Sequence, residues 1–240
     1  MRIARELWSG PRPWLRGPAS FDGDWLVLDK QQAVEYHPYE EKGIAFALAN
    51  VRTPRDAVEF IGKYGMLKHG PEDEDCREAF LEWQQEANCI QNVFFLVRAL
   101  REGVRGNMEL AERVKPNIQY LFSAPPANER ETLEQIAKTI ALIINQGLNG
   151  VGQGIAAHQV DFEVGQLGGF AFIARPHNLL GYIYHELAML IVNQVPVNTC
   201  EGCGRVFLVK DVRQKYCSPQ CSNRARFNRW YKKNKKPNEG

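Results

Sequence analysis

The sequence predicts an α+β protein: a mainly helical N-terminal domain with short β-hairpins over residues 1–195, then a small four-cysteine finger over 196–240. Three observations carry the prediction. Long segments repeat apolar residues every three or four positions, the period of an amphipathic helix. Between them lie short alternating runs bounded by Gly, Asn and Gln, which read as hairpins. Four of the six cysteines crowd into residues 200–221, where the basic charge is also concentrated.

In chain order, residues 9–24 are rich in Pro and Gly and predict an irregular arm that packs on the body through Trp8 and Trp14, or serves as a docking segment. Trp25–Asp29 and Ala33–His37 read as two strands around a polar turn at residues 30–32. A first helix is expected over Ile44–Asn50. Thr53-Pro54 starts a second, with Thr53 as N-cap and Asp56 and Glu59 early in it, stopping near Gly62–Gly65.

Pro71 to Gly103 is the longest helical candidate. Phe80, Trp83, Ala87, Ile90, Phe94, Val97 and Leu100 form its core stripe, and residues 72–75 put an acidic run at its start. Cys76 and Cys89 then fall on different sides of that helix as ordinary thiols. A short helix at Met108–Val114 should end before Pro116. Residues 128–147 form another, lined by Leu133, Ile136, Ala137, Ile140, Ile143 and Ile144 and ended by Gly147. The Gly150–Gly154 run has no Gly-Lys-Ser/Thr sequel and follows a helix, so it reads as a flexible loop rather than a phosphate cradle. Ile155–Val164 and Gly169–Ala174 predict a hairpin. Asn178 caps a largely apolar helix over Leu179–Val192, and Asn193–Thr199 links it to the finger. On that helix His185-Glu186 starts like a zinc-protease motif, but Met189 stands where the second histidine is needed.

The finger holds Cys200-x2-Cys203, thirteen residues, then Cys217-x3-Cys221. Two close pairs on a short arm suit one tetrahedral zinc with four thiolates. Two disulfides are the competing use of these cysteines, and nothing else in the sequence points to the oxidising compartment they need. Ser218-Pro219 is a helix-start signature that places Cys221 in the first turn of a helix through Tyr231. A hairpin, Arg205–Leu208 outward and Gln214–Tyr216 back, should separate the ligand pairs in a treble-clef-like arrangement. Gly204 follows the second cysteine, where the chain turns tightly and favours φ > 0. The predicted metal ligands are Cys200, Cys203, Cys217 and Cys221, around one structural zinc.

The pattern Cys200-x-x-Cys203-Gly204-Arg205-x-Phe207, followed by Cys217-Ser218-Pro219-Gln220-Cys221-Ser222-Asn223-Arg224, resembles the CGNR zinc-finger family of bacteria. The family's Cys-Gly-Asn-Arg signature reads Cys-Ser-Asn-Arg here, with Ser222 in place of glycine. The resemblance is specific over about forty residues and loose elsewhere. It implies a helical N-terminal domain that senses a signal, a C-terminal treble-clef finger, and a role in transcription regulation.

Charge supports a polyanionic partner for the finger. Residues 200–240 carry eleven Lys and Arg against three acidic residues, a balance of +8, whereas residues 1–199 carry nineteen against twenty-five. A zinc with four thiolates lowers the finger's balance to about +6. A basic tail on an acidic body points to nucleic acid. The expected contacts are Asn223, Arg224, Arg226, Arg229, Lys232, Lys233 and Lys236, mainly to phosphates, with Phe227, Trp230 and Tyr231 in a neighbouring sector packing on Phe207 and Tyr216. Double-stranded DNA is the expected partner, with a small-molecule or protein effector for the N-terminal domain and a homodimer to strengthen a single finger. The alternative is a zinc-stabilised module that binds protein or RNA, in which Phe227, Trp230 and Tyr231 suit base stacking on single-stranded RNA. No catalytic arrangement is recognisable by spacing, and four cysteines leave zinc no open position, so no enzyme is expected. Without a signal-peptide pattern or an apolar run of membrane length, the expected location is the cytoplasm.

Overall fold

The computed structural model describes residues 13–70, 73–149, 158–164, 170–176, 178–211 and 213–234. It is an α+β structure with small antiparallel sheets, and the cysteine finger lies near its C-terminus. No helix among the described residues is long and apolar enough to cross a membrane.

The first residues described are strands rather than irregular arm: β1 (Trp14–Arg16) and β2 (Ala19–Asp22). They take the partners that β3 (Trp25–Leu28) and β4 (Val34–Tyr36) were expected to find in each other. β1 pairs with β4, while β2 pairs with β3. Gly17-Pro18 makes this possible. Proline's missing N–H falls between the strands, where no ladder bond is lost. Gly17 lets the chain cross Ala33, whose Cα would lie 2.7 Å from a Cβ at that position. Trp14 is buried and donates its indole N–H to the Met66 carbonyl at 2.8 Å. Trp8 lies outside the described residues.

Helices α1 (Ile44–Ala49) and α2 (Pro54–Tyr64) stand where the sequence puts them. Thr53 and Asp56 form a reciprocal capping box at the start of α2, and Gly65 ends it at φ 85°. The next helix starts later than expected. Arg77–Ala79 is β5, which joins β3 as the third strand of its sheet, and α3 runs from Phe80 to Val104. Buried Glu78 explains the delay. Its carboxylate accepts the backbone N–H groups of Leu67, Lys68 and His69 and the indole N–H of Trp83, so the strand conformation satisfies a carboxylate that a helix would leave exposed or unpaired. Asp73 caps a turn by accepting the Gly70 N–H at 2.6 Å, and Cys76 lies before β5 rather than on the helix.

α3 is the central helix, touched by α1, α2, the segment Val197–Thr199 and two later helices. Beyond the expected stripe it buries Val93, Leu96 and Ala99, because neighbours cover it on more than one side. α4 (Glu109–Ile118) runs past Pro116: burial of Ile118 extends the stripe of Leu110, Ala111 and Val114 and holds the last turn despite the missing N–H. α5 (Glu129–Asn149) likewise continues through Gly147. That glycine is a contact point, since a Cβ there would lie 2.3 Å from the Tyr184 ring. Ala137 of the expected stripe is exposed, and Thr132 and Thr139 are buried in its stead. Their hydroxyls donate to the carbonyls four residues back, which makes burial tolerable.

β6 (His158–Val164) and β7 (Phe170–Pro176) form the expected hairpin; its turn, like the Gly150–Gly154 loop, lies outside the described residues. α6 (Leu179–Val192) is capped by Asn178, whose side chain accepts the Gly181 N–H at 2.8 Å. Its Glu186 is no metal-site remnant. The carboxylate accepts the Gly43 and Ala45 N–H groups at 2.6 and 2.7 Å, where the positive end of α1 favours an anion. Burial nonetheless holds the Glu186 carboxyl above its usual range, against those backbone hydrogen bonds.

Candidate metal centre and basic helix

The segment expected to link body and finger contains β8 (Val197–Thr199), which pairs with β9 (Val206–Leu208) in register Thr199↔Val206. The finger's ribbon is therefore β8–β9, with the Cys200–Cys203 knuckle as its turn, and not Val206–Leu208 with residues 214–216. The return segment stays close by other bonds: Glu201 donates its N–H to the Lys215 carbonyl at 3.0 Å, and Asn198 donates its side-chain amide to the Gln214 carbonyl at 3.1 Å. The pairing went to residues 197–199 because the knuckle closes a tight hairpin of its own. Cys200 donates to the Arg205 carbonyl, Gly204 donates back to the Cys200 carbonyl, both at 2.8 Å, and Gly204 takes φ +70° as its position predicts.

The second pair of cysteines comes from the start of α7 (Pro219–Asn234). The Ser218 hydroxyl accepts the Cys221 N–H at 3.2 Å, which fixes Cys221 in the first turn. Gly202 lets the two halves meet: a Cβ there would lie 3.3 Å from the Cys221 carbonyl oxygen.

The four sulfur atoms lie within 4.8 Å of one another, with Cys203 Sγ 3.6 Å from Cys217 Sγ and Cys217 Sγ 3.7 Å from Cys221 Sγ. A zinc–sulfur bond of about 2.3 Å in a tetrahedron requires sulfurs about 3.8 Å apart. A disulfide requires about 2.05 Å, and all four cysteines are free. The site therefore fits one divalent metal ion, zinc in particular, and not two disulfides. Cys200 is the buried member of the set, 2% exposed; the other three are half-buried. Burial raises the Cys200 thiol, but the N–H groups of Cys217, Gly202 and Cys203 outweigh it and pull it down to about 6. Burial and the neighbouring thiols push Cys217 up to about 12. Four thiols this close resist ionising together unless a cation holds them, which is what a bound metal supplies.

Residues far away in sequence hold the knuckle. Asn50, at the end of α1, donates its side-chain amide to the Val206 carbonyl and accepts the Val206 N–H, both at 2.9 Å. Arg52 donates to the Cys203 carbonyl at 2.9 Å and Gln91 of α3 to the Gly204 carbonyl at 3.4 Å. Arg101 donates to the Val195 carbonyl at 2.7 Å. Val206, 3% exposed, belongs to the main hydrophobic core. Nothing local in the sequence marks Asn50, Arg52 or Gln91, because each meets the finger across more than a hundred residues of chain.

Of the expected nucleic-acid contacts, Asn223, Arg224, Arg226 and Arg229 are exposed on α7. Lys232 and Lys233 lie on the same helix, and Lys236 lies outside the described residues. The aromatic residues depart from expectation. Phe227, Trp230 and Tyr231 are 61%, 59% and 52% exposed and do not bury themselves on Phe207 and Tyr216. Cys221 sets the rotation of the helix: Ser222 and Ala225 share its half-buried side, while Trp230, nine residues on, falls about half a turn away. The chain matches no protein-family model, no curated protein and no solved structure.

Proposed function

We propose that the chain is a zinc-finger nucleic-acid-binding protein in which one zinc, held by Cys200, Cys203, Cys217 and Cys221, folds the finger and fixes α7 as a basic contact helix. The observation that carries this reading is the juxtaposition of a four-thiol site of tetrahedral dimensions with a helix bearing exposed Arg224, Arg226 and Arg229. Between residues 213 and 234 the chain has no acidic residue, so a polyanion meets no opposing charge there. Zinc with four thiolates is coordinatively closed, so its role is folding rather than catalysis.

DNA as the polyanion, and regulation of transcription through it, are the finer form of the proposal; the CGNR-like residues Cys221-Ser222-Asn223-Arg224 support both. The acidic body then carries the signal-sensing role. Its direct hold on the knuckle through Asn50, Arg52 and Gln91 supports that division of labour, since a change in the body is felt at the finger.

A salt titration of the zinc-loaded chain with duplex DNA, single-stranded DNA and RNA, beside an Arg226→Ala/Arg229→Ala variant, tests the proposal. Binding should weaken steeply with salt, and the variant should lower the slope of log K against log salt by about two. No binding to any nucleic acid would reject it in favour of a protein-interaction finger.

A further inference from the structure

We infer that the outward face of α7 is a stacking surface for unpaired bases, so that the nucleic acid it holds is single-stranded where it meets Phe227, Trp230 and Tyr231. The inference rests on the nucleic-acid reading above and narrows it. Single exposed apolar residues are ordinary. Three large rings on one helical face, at positions i, i+3 and i+4, are not. They touch one another rather than the core: Phe227 lies 6.2 Å from Trp230 and 6.4 Å from Tyr231 between ring centroids, the second pair nearly parallel at 21°.

The metal site explains why they stay outside. Cys221 must face the other three sulfurs; at about 100° per residue Trp230 falls about 180° from it, Phe227 about 120° and Tyr231 about 80°, so the centre of the ring face points away from the finger. Arg224, three residues before Phe227, and Arg226, four before Trp230, flank the rings, and both are exposed. Rings bordered by guanidinium groups match a strand whose bases offer π-faces and whose phosphates run alongside. A duplex satisfies the arginines but not the rings, because its base faces are already stacked and its grooves show only edges. An apolar protein surface would bury the arginines unpaired. Interfacial membrane helices also set Trp and Phe beside Lys and Arg, so anionic vesicles are the competing arm of the test; α7 contains no Leu, Ile, Val or Met to add aliphatic depth.

The test uses the zinc-loaded full chain and measures binding, at one salt concentration, to a short mixed-sequence single strand, an abasic strand of equal length, the matching duplex and anionic phospholipid vesicles. The abasic strand keeps the phosphates and lacks the bases. The single strand should outbind it by about five-fold or more for each base stacked. That gap should close in Phe227→Ala/Trp230→Ala/Tyr231→Ala and also in the triple leucine variant, which keeps apolar area without π-faces. Both variants should keep one zinc, because the altered side chains are exposed. Equal binding of base-bearing and abasic strands would overturn the inference, as would a duplex that binds better than the single strand, or an unchanged leucine variant. All three leave the nucleic-acid reading standing. Binding to vesicles and to no oligonucleotide would remove both.

Discussion

Replacing Asn50 with Ala tests how the finger is fastened. Thr199 and Val206 are opposed at a position of the β8–β9 ladder where the backbone groups of Val206 point away from β8; the neighbouring Cys200 N–H bonds the Arg205 carbonyl instead. The Asn50 amide fills that outer edge as a third strand would, giving one acceptor and one donor to Val206 and a further hydrogen bond to the Phe46 carbonyl at 2.8 Å. Alanine leaves the N–H and C=O of a 3%-exposed residue without partners. At about 1–3 kcal/mol for each unpaired buried group, the loss is about 2–4 kcal/mol, allowing for some water entry. The metal site itself keeps all four ligands. The finger should therefore remain zinc-bound but open from the body far more often, by about thirty- to several-hundred-fold. Hydrogen exchange on the zinc-loaded variant reads this directly: the amides of Cys200, Val206 and Val209 should lose protection while those in the middle of α3 change little. Unchanged protection at Val206 in a folded variant would refute the claim that Asn50 is the fastening.

Three further outcomes are expected. Chelation, or Cys217→Ser, should abolish amide protection over residues 197–234 while helical circular dichroism of the body persists. Metal binding supplies on the order of 10–16 kcal/mol in comparable fingers, so retained protection without metal would refute a folding role for zinc. Gly147→Ala should destabilise the chain by about 1–3 kcal/mol in urea unfolding, despite alanine's better helix propensity. The new Cβ meets the Tyr184 ring, and the Tyr184 hydroxyl donates to Glu86 at 2.9 Å, which holds the ring in place; a more stable variant would show the ring can move aside. Glu86→Gln should gain stability over the wild type as pH rises. Burial raises the Glu86 carboxyl, with Glu82 adding to it and the Tyr184 hydrogen bond and Lys68 opposing it. A raised carboxyl contributes stability below its unfolded value, near 4.5, and loses it as pH climbs through the folded value. The difference in melting temperature between variant and wild type should widen from about pH 4 to neutrality; a constant difference would reject a charge-burial cost.

Features that depend only on neighbours in the chain were legible without the fold. Thr53 with Asp56, Asn178 with Gly181, and Ser218 with Cys221 are caps that bridge three residues, so helix starts could be read directly. The cluster of Cys200, Cys203, Cys217 and Cys221 was legible for a similar reason: each pair is local, and the spacing of the two pairs suits one metal ion. Tertiary structure decided the choices where a segment had two acceptable partners. Residues 14–22 took both strands of an expected hairpin because Gly17 permits the crossing. Residues 77–79 became strand because Glu78 found amide donors at 67–69, and Gly147 stayed helical because Tyr184 needed the space. The ring face of α7 belongs to the same group. Periodicity places Phe227, Trp230 and Tyr231 together, but only the joint geometry of four sulfurs fixes the rotation that turns them outward. A one-dimensional pattern specifies which side chains share a face. Which face is buried is set by the lowest free energy over all elements packed at once, and that balance is not local to any of them.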